Sequence, residues 1–282
     1  MTDKMADSFA SLYLDDAADK LAPVTAIALY DEFRELTPPG KKGDRLVRKL
    51  AERLFDIDLL ERAGKLLQAQ IEFRLLGIDK ADAGAELARV HIRNREPEKA
   101  LVSLKETEVA GIPPELAERR RLIQARALHN LKRTPEALSL LKEDKSVGAD
   151  RMRVEIYWAN QDWANTAQAL RRLVRTYELE PGQTVTDEQA KTILNLATTL
   201  TLSGNQRAIN RLRKDYGPAM DGSQFRDAFR LIATAQSLGL IDYRTIGGKV
   251  AKAENFRGFM AAYRERQKEQ QEAEAAGDNA GG

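Results

Sequence analysis

The chain of 282 residues contains no cysteine, two histidines, and aromatic residues at only 6%. The absence of cysteine excludes disulfides, thiolate nucleophiles, and cysteine-based zinc or iron–sulfur sites, and it suits a reducing or an oxidising compartment equally. His91 and His129 fall at different kinds of position, one in an apolar stripe and one beside it, so structural roles are expected of both rather than catalysis or metal binding. No segment approaches the ~18 to 20 consecutive apolar residues of a membrane-spanning helix, so no direct membrane insertion is expected. The N-terminal residues lack the basic-then-apolar order of a signal peptide, and nothing within them directs export.

A dominant charge is also missing. Forty-five basic residues face 43 acidic ones, a net +2, which is no signature for a polyanion. The densest basic runs, Arg119-Arg120-Arg121, Arg171-Arg172 and Arg211 with Lys214, lie in helical patterns with acidic neighbours. They read as solvated helix faces, and no nucleic acid is expected as a partner.

Catalytic motifs are absent too. Asp56-x-Asp58 lacks the glycine and closing glutamate of a calcium loop, and Gly247-Gly248-Lys249 lacks the spacing of a phosphate loop. No Gly-x-Ser-x-Gly elbow occurs, leaving an enzyme without a nucleophile or base. The expectation is a non-enzymatic protein with no cofactor and no metal.

What the chain does have is a repeat. Ala51, Ala88 and Ala125 recur at a spacing of 37 residues, as do Ala63, Ala100 and Ala137, and Leu67, Leu104 and Leu141. A period between about 20 and 50 residues marks stacked supersecondary units, none of which can bury its apolar face alone. Two helices joined by a tight turn fit the interval between the paired alanines, because small side chains let helix axes approach to the ~8 to 10 Å of close packing. Leu54, His91 and Leu128 follow the first alanine by three residues and share its stripe. Pro97 and Pro135 fall in the first turn of the second helix, where a missing N–H costs nothing.

The pattern small-x2-large, then Ala, then Leu four residues on, resembles the tetratricopeptide repeat, a helix-turn-helix unit of about 34 residues. The units are placed at 44–77, 81–114 and 118–146. A fourth at 147–180 carries Val154, Tyr157 and the Asp162-Trp163 turn, and a fifth at 189–216 carries Leu196, Leu200 and Ser203-Gly204-Asn205. The resemblance implies an all-α fold, a right-handed α-solenoid of helical hairpins with terminal capping helices. Leu29-Tyr30-Asp31-Glu32-Phe33, Glu155-Ile156-Tyr157-Trp158 and Phe256-Arg257-Gly258-Phe259-Met260 are similar to the C-terminal helical region of long proteobacterial envelope proteins. That resemblance implies a large N-terminal part ahead of Met1 and a periplasmic or cell-envelope setting, with the cytoplasm as the alternative.

Around the repeats, residues 1–22 read as a leader, linker or capping helix, and 23–266 as one solenoid domain. Pro23 opens a helix through Leu36, Glu180-Pro181-Gly182 interrupts the array, and Gly217-Pro218 follows the fifth unit. Residues 223–240 and 249–266 read as terminal helices, and 267–282, poor in apolar residues, as a disordered tail.

In a tetratricopeptide array the first helix of each unit lines the concave surface, which implies a groove carrying Arg48, Arg89, Arg93 and Arg126 around a spine of Phe55, Ile92, His129 and Trp158. Phe55, Ile92 and His129 again differ by 37. Aromatic centres ringed by arginine have the composition of a binding hot spot, although Phe55 and Trp158 also suit burial between units. Glu52 and Leu122 stand where a carboxylate clamp of this family would have Asn and Lys, so a chaperone-tail receptor is not expected. Two readings remain: a scaffold that binds a protein or peptide partner, an acidic one by charge, or a structural spacer that self-assembles through its edges.

Overall fold

The computed structural model describes residues 2–14, 21–180 and 183–234. Among them are thirteen α-helices, one 3-10 turn and no strand. The chain forms two compact units that divide between Arg133 and Thr134.

The first unit contains α1 (Thr2–Leu14), α2 (Pro23–Glu32), a 3-10 turn (Arg34–Leu36), α3 (Lys41–Asp56), α4 (Leu60–Phe73), α5 (Gly77–Arg93), α6 (Pro97–Glu106) and α7 (Pro114–Asn130). From α3 onward each helix packs against the next, and α5 also meets α7. The second unit contains α8 (Thr134–Leu141), α9 (Val147–Ala159), α10 (Trp163–Arg175), α11 (Asp187–Leu202), α12 (Gln206–Met220) and α13 (Arg226–Thr234), again with each helix against its successor and α13 on α11 as well as α12.

The repeat becomes physical at the turns between paired helices. α3 and α4, α5 and α6, α7 and α8, α9 and α10, and α11 and α12 are each joined by three residues. The middle residue of each connector is left-handed: Asp58 (φ 61°), Arg95 (φ 60°), Lys132 (φ 62°), Gln161 (φ 58°) and Gly204 (φ 68°). The next residue donates its N–H to the carbonyl five positions back, as Leu59 to Leu54 (2.8 Å), Glu96 to His91 (2.8 Å), Arg133 to Leu128 (2.8 Å), Asp162 to Tyr157 (2.9 Å) and Asn205 to Leu200 (3.0 Å). The left-handed residue itself bonds three back, to Phe55, Ile92, His129, Trp158 and Thr201. These are Schellman closures, which satisfy the last carbonyls of one helix while reversing the chain into the next. Asp162 and Asn205 then cap the following helix by accepting from the N–H groups of Asn165 and Ala208.

The alanines sit where close packing requires them. Ala63, Ala88, Ala100, Ala125, Ala137 and Leu141 are fully buried, and Ala51, Leu67 and Leu104 nearly so. Leu46, Leu50 and Leu54 on α3 fill the first unit's core, each worth roughly 1.5 to 3 kcal/mol on full burial. Gly84 of α5 is a stricter contact: a β-carbon there would come within 1.8 Å of the Thr107 hydroxyl oxygen.

Segment 1–22 packs through its helix. Phe9, Ala10 and Tyr13 of α1 are buried against α3, Phe9 meets Tyr13 edge-on at 5.2 Å, and the Tyr13 hydroxyl donates to the Ala26 carbonyl at 2.7 Å. Burial pushes the Tyr13 phenol up to about 12.

Some boundaries differ from the sequence reading. α3, α5 and α7 begin at Lys41, Gly77 and Pro114, three to four residues before the assigned starts of units one to three. α2 ends at Glu32, with the remainder to Leu36 wound as a 3-10 turn. α12 runs through Gly217-Pro218 because Ala219 and Met220 beyond them are buried and hold its last turn in place. Pro181-Gly182, the expected helices beyond Thr234, and the tail 267–282 lie outside the described residues.

Candidate functional site

The turn register explains the spine. Phe55, Ile92, His129 and Trp158 occupy one structural position, the residue whose carbonyl receives the left-handed residue's N–H. Trp158 belongs to it although its sequence spacing breaks the 37-residue step. Their side chains differ in exposure. Phe55 and Ile92 are half-buried, Ile92 against the cluster of Ala88, Ala100, Leu104 and Ala127. Trp158, in the second unit, is half-buried and packs edge-on against Trp163 at 5.5 Å. His129 is buried and His91 only half-buried, the reverse of their expected order. The reason for the second is polar: His91 Nδ1 lies 3.1 Å from Glu96, a residue of the turn itself.

Glu96 is a small electrostatic centre. Lys99 above all, then Asn94 and His91, hydrogen-bond to it and hold its carboxyl down at about 2.

In the first unit a cleft of about 400 Å³ opens between α3 and α5, lined by Arg45, Arg48, Glu52, Phe55, Glu86 and Arg89 among others. This brings Arg48, Phe55 and Arg89 of the inferred groove together. Arg89 and Arg93 both lie over the Phe55 ring, their guanidinium carbons 4.5 and 4.7 Å from its centroid. Such cation–π contacts contribute about 0.5 to 1 kcal/mol each at exposed sites.

The arginines do not repel one another unrelieved, as a wholly basic groove would require. Arg48 pairs with Asp82 and donates to the Asp79 carbonyl at 3.0 Å; Arg89 pairs with Glu86 at 3.1 Å; Arg93 pairs with Asp58 at 3.2 Å. Arg119 on α7 pairs with Asp82 and with Glu86 at 3.2 Å. Adjacent first helices are thus laced by a network running Arg48–Asp82–Arg119–Glu86–Arg89, and the surface is a mixed-charge one around an arginine-covered phenylalanine. Arg126 lies exposed on α7.

Two basic runs are not wholly solvated faces, since one arginine of each is engaged by the fold. Arg120 is buried, donating to the carbonyls of Leu104 and Ala81 and to the Thr107 hydroxyl at 3.2 Å, and burial lowers its pKa. Arg153 in the second unit is buried too and donates to the carbonyls of Leu141 and Asp144. Arg172 makes a forked contact with Asp150 at 2.7 to 2.9 Å, and that hydrogen bonding raises its pKa. Asp150, only 7% exposed, is also held by Arg153 at 2.6 Å. The signal was present for Arg120: Leu116, Arg120, Ile123 and Ala127 form one helical stripe facing the core.

Two surface features escaped sequence reasoning. Phe73 and Leu76, at the end of α4 and just after it, are 82% and 84% exposed. In the second unit, a cleft of about 370 Å³ between α10 and α12 gathers arginines from both helices.

Among the described residues no cluster of His, Asp or Glu could hold a metal ion, and no helix is long and apolar enough to cross a membrane. No family model matches the chain, and no curated protein does.

Proposed function

We propose that the protein is a non-enzymatic interaction scaffold, a right-handed solenoid of tetratricopeptide-like hairpins that engages a segment of a protein partner in the cleft between α3 and α5. The observation that carries this reading is the fivefold recurrence of one helix closure, since repeats of this kind serve to extend a surface. Within the cleft, Phe55 and the paired arginines combine an aromatic anchor with charged groups of both signs, the make-up of an interface hot spot. Because Asp82, Glu86 and Asp58 already neutralise much of the basic charge, a partner gains by exchanging these carboxylates for its own, and selectivity resides in geometry more than in net charge. The resemblance to envelope proteins supports a place in the periplasm or cell envelope as part of a longer chain.

The test is a photo-crosslinking residue at Glu52, which is exposed at the cleft. A discrete adduct from the native envelope, lost when Phe55→Ala is added, is the expected result. Absence of any adduct from Glu52, with one from position 73, would move the site out of the cleft.

One observation favours the second reading, a spacer that self-assembles: two large apolar side chains three residues apart, Phe73 and Leu76, are more than four-fifths exposed. On that reading light scattering shows mass rising with concentration, and Phe73→Ser with Leu76→Ser abolishes the rise.

A further inference from the structure

In the second unit, Arg171 and Arg175 stand one turn apart on α10, Arg207 and Arg211 one turn apart on α12, and all four line the same 370 Å³ cleft. None of the four forms an ion pair or side-chain hydrogen bond with a described residue, whereas neighbouring Arg172 is engaged by Asp150. Asp215 is the single acid among the described residues of the lining. Arg175, Arg207 and Arg211 are exposed, so solvent tolerates the four charges, and their mutual repulsion is relieved by an anion that spans both helices. The floor is apolar: Leu196 and Leu200 of α11 are buried beneath the arginines, with Tyr216 half-buried at one side.

We propose that the α10–α12 cleft is a second docking site, one that takes an acidic, amphipathic segment of a partner polypeptide. Guanidinium groups meet carboxylates through paired N–H donors, and apolar side chains between those carboxylates lie against Ala208 and Tyr216, the half-buried apolar residues of the lining. A free phosphate would use the arginines and leave Ala208 and Tyr216 uncovered. Single-stranded nucleic acid needs aromatic platforms for its bases, and among the described residues the lining offers Tyr216 alone. The site is in a different unit from the Phe55 cleft and stands without it.

The experiment titrates the full chain into a fluorescent peptide of about twelve residues that alternates Glu-Glu with Leu-Leu, read by anisotropy at low salt. Saturable binding that weakens as salt rises is expected. Arg171→Glu with Arg211→Glu reduces affinity at least about tenfold, since two attractive contacts become repulsive, while Phe55→Ala leaves it unchanged and so separates this site from the first-unit cleft. If the double reversal disturbs the helical circular dichroism, the milder Arg175→Gln with Arg207→Gln, both exposed, serves in its place. Three results overturn the proposal: no saturable binding by the parent chain, equal binding by the folded variant, or tighter binding of a labelled oligothymidine of similar length.

Discussion

Arg120 on α7 donates to the carbonyl of Leu104, near the end of α6, and Arg153 on α9 donates to the carbonyl of Leu141, at the end of α8. The acceptors are one repeat apart, so a buried guanidinium closes the C-terminus of a second helix twice in the chain. A cation there satisfies carbonyls left over by the helix and opposes the negative end of its dipole. Arg120→Met keeps the stem's packing but strips the Leu104 and Ala81 carbonyls and the Thr107 hydroxyl of their donor. The expected cost is about 2 to 3 kcal/mol, read as a lower urea midpoint with unchanged slope. An unchanged midpoint would show that water replaces the guanidinium at no loss.

The left-handed turn residues offer changes of opposite sign. A non-glycine residue at positive φ carries about 1 to 2 kcal/mol of backbone cost, part of which returns because glycine frees the unfolded chain. Lys132→Gly and Arg95→Gly are therefore expected to stabilise by about 0.5 to 1 kcal/mol, and Gly204→Ala to destabilise by a similar amount. Differential scanning calorimetry checks all three, and a fall in Tm for both glycine variants would refute the strain argument.

The helical class and the repeat period were legible because packing constrains side chains: Ala63, Ala100 and Ala137 are small and fully buried, and that requirement recurs with the repeat. The turn closures were not legible, because the backbone makes them. Asp58, Arg95, Lys132 and Gln161 share a conformation with Gly204, and glycine is the only one of those residue types that signals it. The groove residues were visible as types but not as partners. Arg48 meets Asp82, and Arg119 meets Glu86, across more than thirty positions, and charge along a sequence says nothing of which carboxylate faces which arginine. Arg120 was hidden by its neighbours, since a run of three arginines reads as polar although one of the three points into the core.

Gly84 and Thr107 test the closest backbone approach. Gly84→Ala places a β-carbon 1.8 Å from the Thr107 hydroxyl oxygen and 2.5 Å from its β-carbon, so α5 and α6 must separate. The loss is expected at about 1 to 3 kcal/mol or more, as in overpacked cores. Thr107→Ala removes the hydroxyl oxygen at 1.8 Å and the methyl at 2.7 Å but leaves the β-carbon, so the double variant recovers part of the loss. A double-mutant cycle of urea midpoints should give a coupling of at least about 0.5 kcal/mol; additivity would mean that the helices part without meeting Thr107.

Arg89 and Arg93 carry a structural cost alongside any role in binding. Arg93 is 15% exposed in its side chain, pairs with Asp58 and covers Phe55 together with Arg89. Reversing both to Glu sets like charges beside Asp58 and Glu86 and uncovers the ring. The expected destabilisation is about 1 to 2 kcal/mol, more than the ~0.5 kcal/mol usual for surface charge changes. Melting within that smaller range would mean that the cation–π contacts contribute nothing measurable.

Glu96 gives the fold a pH dependence with a defined direction. Its carboxyl, held at about 2 by Lys99, Asn94 and His91, binds a proton more weakly in the folded chain than the ordinary value of 4.5. The stabilisation is therefore complete above about 4.5 and is lost as pH falls towards 2. Because the side chain is 30% exposed, solvent screening keeps the contribution under about 1 kcal/mol, and salt reduces it further. In Glu96→Gln the unfolding free energy should fall less steeply with acid between pH 4.5 and 2 than in the parent, at low ionic strength. Identical slopes would show that the Lys99 contact does not persist in solution. A slope difference that survives molar salt would point instead to the Asn94 hydrogen bond as the main source of the shift, because a contact with a neutral donor is not screened.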